Sequence, residues 1–284
     1  MNESASMLDA PPSAPCAKTG ADEQYGAKPL AATPWILRGR IHPQPRLRMY
    51  CFSYGGGGAS AFAGWPRHLD VRIELCPLQL PGRENRRAEA PLVRLDGVYR
   101  FFETVARRDD RTPFVFFGFC MGARIALALA RHLRRLDLPL PKALFVAAAR
   151  EPSCMPRKAI PTYRLDDEAL LQFAARFADI PPFISKRPQL ARRMLALLRA
   201  DIELSETIEF PPEAPFAFPL TVFGGRQDDV VRLEHLMPWK DHSTGPFTLQ
   251  LLDGPHMFLE RQCEAIHTQM GPQLAPLLDE TAMS

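Results

Sequence analysis

Gly118-Phe119-Cys120-Met121-Gly122 sets a nucleophilic sulfur between two glycines. An apolar run, PFVFFGF (Pro113 to Phe119), precedes it, and the alanine- and leucine-rich MGARIALALARHLRRL follows it. A buried strand therefore turns sharply into a helix at Cys120. This is the setting of the Gly-x-Ser-x-Gly nucleophile elbow, with Cys at the Ser position. Only glycines leave room for so crowded a turn. The start of a helix carries partial positive charge, which favours a thiolate. Its free N–H groups can stabilise an oxyanion. A five-residue match alone would not separate an elbow from a small buried cysteine. The strand before it and the helix after it favour the elbow, and no GxxxxGK[ST] accompanies them.

An elbow nucleophile needs a base, and the base needs an orienting acid; in such enzymes they follow in the order acid, then His. FGGRQDD puts Asp228 and Asp229 in the loop after an apolar run, and the residues alone leave the two acids open. LLDGPHMFL puts His256 just beyond the last such run, where a loop can reach over a sheet. His256 would deprotonate Cys120 and later protonate the leaving group. The acid would hold the imidazole tautomer. His42, His68, His132, His235, His242 and His267 lie in charged or amphipathic stretches and are expected to face solvent. The run Gly55-Gly56-Gly57-Gly58 follows the first apolar strand, where a second oxyanion donor belongs. The backbones of Gly55 and Met121 are the expected oxyanion hole.

These residues need a scaffold that gathers strand ends. The expected strands are Leu47 to Tyr54, Val71 to Leu80, Pro113 to Phe119, Lys142 to Ala149, Phe218 to Gly225 and Phe247 to Gly254. Helical patterns between them predict an α/β fold, a mostly parallel sheet with helices on both faces. Residues 1–34 are rich in Ala, Pro, Ser and Gly and are expected to be a flexible leader. About residues 151–217 the alternation stops. LDDEALLQFAARF and RPQLARRMLALLRADIELSETI are helical and charged, so a helical lid is expected there, within one domain spanning 35–284.

The chain has 284 residues, 46% hydrophobic and 24% charged, enough for one large globular core. A net charge of +3 with no dense basic run argues against nucleic acid. No apolar run is long enough for a membrane span, and no secretory signal opens the chain. The six cysteines show no CxxC or zinc spacing, so no metal is expected. Free thiols and a cytoplasmic location follow.

The segments CFSYGGGGASAFAGW, PLQLPGRENR, GFCMGARIALALAR, RADIELSETIEF, VFGGRQDD and GPHMFL together resemble the type II thioesterases of nonribosomal peptide and polyketide synthases. The resemblance runs in order from about Leu47 to Phe258. It implies an α/β-hydrolase fold with a helical lid, acting as a monomer on acyl groups held by the phosphopantetheine of an acyl or peptidyl carrier protein. It implies no cofactor of the protein's own. It also selects Asp228 over Asp229 as the acid. Two departures stand out. Where the family reads Gly-His-Ser-Met-Gly, Phe119 replaces His, either as an apolar wall beside the nucleophile or packed inward, and Cys120 replaces Ser. Cysteine makes the chain similar also to hydrolase-fold aminoacyl shuttles, which pass a residue between carriers. The readings are thus release of acyl-Cys120 to water, strict transfer to a second carrier thiol, and an inactive scaffold binding a synthase. A lactone hydrolase fits the lid poorly. In the lid, Lys186, Arg187, Arg192, Arg193 and Arg199 are either a solvated face or a docking patch for an acidic carrier.

Overall fold

The computed structural model describes residues 33–37, 42–107, 112–156, 158–178 and 187–280. Nearly all of the expected leader lies outside them, as does Lys186.

Six strands, all parallel, form one sheet: β1 (Leu47–Phe52), β2 (Ile73–Pro77), β3 (Phe114–Phe119), β4 (Leu144–Ala147), β5 (Leu220–Gly225) and β6 (Phe247–Leu252). Each lies within its expected segment. The order is β2-β1-β3-β4-β5-β6. Every residue of β1, β4 and β5 is buried, which is why their sequences run apolar without alternation. Arg48 is tolerated inside β1 because its guanidinium meets Glu74 of β2 at 2.8 Å. Edge strand β6 is only half-buried along its length.

Helices α1 (Asp96–Ala106) and α2 (Met121–Arg135) cover one face, closing a core that includes Tyr50, Phe52, Phe116, Ile125 and Leu129. The other face packs Met49, Phe117 and Phe145 against Trp65 and the C-terminal helix α6 (Cys263–Glu280). No expected element corresponds to α6. Pro272 and Pro276 lie inside it, and prolines read as helix breakers. Burial of Ile266, Met270, Leu274 and Leu278 in the core holds it in place.

Between β4 and β5 the described chain contains no strand. It forms α3 (Asp167–Ala175) and α4 (Pro188–Thr207), with short helix α5 (Leu233–Leu236) following β5. Asp166 caps α3 by accepting the Ala169 N–H at 2.8 Å. Arg199 of α4 donates to the Tyr163 and Leu165 carbonyls and to the Asp167 carboxylate. It therefore fastens the insertion internally instead of standing free as a docking cation, whereas Arg192 and Arg193 are exposed. No helix of the described residues is long and apolar enough to cross a membrane.

Candidate active site

From β1 the chain crosses one way to β2, and from β3 it crosses the other way to β4. The loops leaving β1 and β3 thus part, opening a crevice at their C-terminal ends, where α/β sheets bind ligands. The glycine run follows β1, and Cys120 follows β3.

Cys120 adopts φ 53° and ψ −112°, a strained conformation for a residue with a side chain, and its N–H donates to the Ala147 carbonyl at 2.8 Å. The flanking glycines are obligatory. A Cβ on Gly118 would press on the Ala123 backbone, and one on Gly122 on the Phe52 carbonyl. Asp228 and His256 arrive from the loops after β5 and β6. His256 Nδ1 lies 2.8 Å from Asp228 Oδ2, while Asp228 Oδ1 accepts the Val230 and Val231 N–H groups at 2.9 and 2.8 Å. Both side chains are buried, and Asp229 is exposed. Local geometry thus selects Asp228 from the pair. His256 Nε2 is buried, and the ring interacts with Cys120 as well as with Asp228. Burial opposes charging of this imidazole, but the charge of Cys120 and the hydrogen bond to Asp228 outweigh it. They push the His256 pKa up to about 10.

Gly56 donates its N–H to Asp201 at 2.6 Å, and Gly57 donates to the Tyr54 carbonyl at 2.9 Å. Gly55 borders the cavity, and its N–H has no acceptor among the described residues. Neither has that of Met121, the first residue of α2.

Cys120, His256, Gly55 and Met121 all border a cavity of about 640 Å³. Its walls are largely apolar and come mostly from the insertion, including Phe173, Phe177, and Leu198 and Ile202 of α4. Arg124 of α2 joins the wall and donates to the Ser205 and Ile208 carbonyls. Among the described residues no cluster of three metal-type ligands occurs.

One alternative is decided and one expectation is corrected. Phe119 is not a wall beside the nucleophile. It is fully buried below the site, with its ring 5.2 Å from Phe258 and 6.1 Å from His256. In a strand adjacent side chains alternate, so the residue before the elbow points into the core. The other histidines do not all face solvent. His267 is buried with its ring 4.5 Å from Trp65, and His242 and His132 are half-buried against Glu151 and Glu103. Amphipathic surroundings hid them, because polar residues on the inner edge of such a face find partners.

Residues 47–274 match the thioesterase domain family, so the chain belongs to it. It is 31% identical over 248 residues to the gramicidin S biosynthesis protein GrsT of Aneurinibacillus migulanus, covering 84% of this chain and 96% of that one. Thioesterase PikA5 of Streptomyces venezuelae is 30% identical, with 84% and 85% covered. Among solved structures, the RedJ thioesterase of the prodiginine pathway in Streptomyces coelicolor superposes with a TM-score of 0.72 at 30% identity, covering 81% of this chain and 91% of that one. The type II thioesterase BorB of the borrelidin cluster gives 0.72 at 29% identity, with 87% and 98% covered. The protein is a thioesterase of the α/β-hydrolase fold.

Proposed function

We propose that the protein takes an acyl or aminoacyl group from the phosphopantetheine thioester of a carrier protein onto Cys120, in nonribosomal peptide or polyketide assembly. The observation that carries this reading is the opening of Cys120 and His256 together into an apolar cavity, with Asp228 bonded behind the imidazole. The relatives named for gramicidin S biosynthesis and for the prodiginine and borrelidin pathways support the setting.

In this mechanism the Cys120 sulfur adds to the thioester carbonyl. The oxyanion is held by the N–H groups of Gly55 and Met121. Collapse of the intermediate breaks the carbonyl bond to the pantetheine sulfur, and His256 supplies the proton that this thiolate takes. Asp228 orients the imidazole and stabilises its charged form. Helices α3 and α4 act as the lid and receive the acyl chain. Discharge reverses these roles, with His256 deprotonating water or a second carrier thiol.

Transfer to a second thiol is the discharge step that cysteine suits. One thioester becomes another, so the acyl group can be returned intact in a nearly isoenergetic step. A serine ester would be more stable and harder to return. The test mixes the protein with acyl-loaded carrier and follows Cys120 by mass spectrometry, with and without an unloaded second carrier. Acyl-Cys120 should accumulate, and the second carrier should discharge it faster than water does. Rapid hydrolysis unaffected by any acceptor would leave a purely hydrolytic enzyme. No acylation of Cys120 at all would refute the proposal.

A further inference from the structure

Asp201 lies on α4, in the insertion, yet its carboxylate reaches into the glycine run after β1. Both of its oxygens are engaged. Oδ1 accepts Arg83 Nη2 at 2.6 Å; Oδ2 accepts Arg83 Nη1 at 2.9 Å and the Gly56 N–H at 2.6 Å. Arg83 Nη1 also donates to the Gly57 carbonyl at 2.9 Å, and Arg83 Nε to the Pro81 carbonyl at 3.3 Å. Three distant segments thus meet at one fork: the glycine run, the Pro81-Gly82-Arg83 turn and α4.

Burial makes this cluster informative. The Arg83 and Asp201 side chains are 3% and 0% exposed. Two ions taken so far out of water add little net stability over an apolar pair of similar volume. An apolar pair could not, however, bind a peptide N–H and a peptide carbonyl at once. Those are the peptide groups of Gly56 and Gly57, immediately after Gly55. Gly56 has φ +80°, a conformation open mainly to glycine, and nothing lies within 4 Å of where its Cβ would be. Without an external anchor that stretch would sample many conformations. With it, the Gly56 N–H is committed to Asp201, while Gly55, whose own N–H has no acceptor among the described residues, lines the same cavity as Cys120.

We propose that Asp201 and Arg83 are positioning residues: they fix the glycine run so that the Gly55 N–H meets the oxyanion that forms on acylation of Cys120. This rests on the acyl-Cys120 reading above. It also makes α4 a fixed wall of the site, joined to the oxyanion loop.

The test separates two reactions of the same sulfur. Acylation by a thioester passes through an oxyanion, whereas alkylation by iodoacetamide is a direct displacement and forms none. Asp201→Asn leaves one acceptor oxygen for three donors, so acylation by carrier-bound thioester should slow by roughly tenfold to a hundredfold. The effect should fall on kcat with KM little changed, and alkylation should keep its rate. Because that variant leaves Arg83 buried without its counter-ion, Arg83→Met combined with Asp201→Leu provides a neutral pair that should fold. It should show the same selective loss while still unfolding in one cooperative transition. If either folded variant acylates at the unaltered rate, or loses acylation and alkylation in parallel, the positioning role is wrong. If the unaltered protein never forms acyl-Cys120, the proposed function falls first and this role with it.

Discussion

The ring of Phe177 meets His256 edge-on, with centroids 5.1 Å apart and planes at 76°. One residue belongs to the insertion and the other to the loop after β6, so the base is partly roofed by the segment that walls the cavity. An aromatic ring there excludes water from the imidazole that would activate it. Phe177→Ala should therefore let acyl-Cys120 hydrolyse several-fold faster, with its formation less affected. The decay of the acylated protein, followed by mass spectrometry without acceptor, measures this. An unchanged lifetime would remove Phe177 from water control.

His256→Ala should abolish acylation of Cys120 at neutral pH. Asp228→Asn keeps the shape but loses the carboxylate that selects the tautomer, and should slow acylation by about 10³-fold or more. Asp229→Asn, on an exposed side chain, should act like the unaltered protein. Single-turnover rates with a loaded carrier give all three values. A larger loss from Asp229 than from Asp228 would overturn the assignment.

Cys120 should be the first of the described cysteines to react with iodoacetamide. Burial pushes the Cys51 thiol well up and raises Cys263 to about 11; Cys154 is raised by burial and by Glu151. Cys76 is fully buried. Cys120 borders the cavity, at a helix N-terminus beside His256. Peptide mapping after limited alkylation, on a Cys16→Ser background, should find the label at Cys120 and activity lost in proportion. Prior labelling of another cysteine with activity intact would contradict this.

The imidazole of His256 should titrate near its raised pKa of about 10 instead of its ordinary 6.5. Burial works against that rise, and the Cys120 charge with the Asp228 hydrogen bond produces it. The folded state then binds this proton more tightly than the unfolded state. The resulting stability is complete below pH 6.5 and is lost as the pH climbs through about 10. Cys120→Ser removes the sulfur and should bring the His256 titration down, as followed by NMR of the ring carbon protons. An unaltered titration would mean that the sulfur is not the charge partner.

Much of the scaffold was legible in the chain itself. Strands buried on both faces lose polar alternation, so PFVFFGF and KALFVAAA announced themselves, and the elbow stood out because its glycines are sterically required. Their places after apolar runs pointed to His256 and to the pair Asp228 and Asp229, and the family resemblance singled out Asp228. Helix α6 was not found, because its prolines contradict the local rule and only packing outweighs it. Pro81-Gly82-Arg83 and the Arg199-Ala200-Asp201 stretch were visible as patterns without a role. Nothing local says that residues 118 positions apart form an ion pair.

The sequence by itself determined the six strands, their order along the chain and the chemical types at their ends, since these depend on steric and hydrophobic preferences of neighbouring residues. The tertiary structure alone decided which partners meet. It bonded Asp228 to His256 and left Asp229 exposed, turned Phe119 into the core, and made Arg199 a fastener. It also brought Asp201 from the insertion to the peptide of Gly56. Each of these choices is a matter of direction and distance between segments far apart in the chain, and those are set only when the sheet and its insertion pack together.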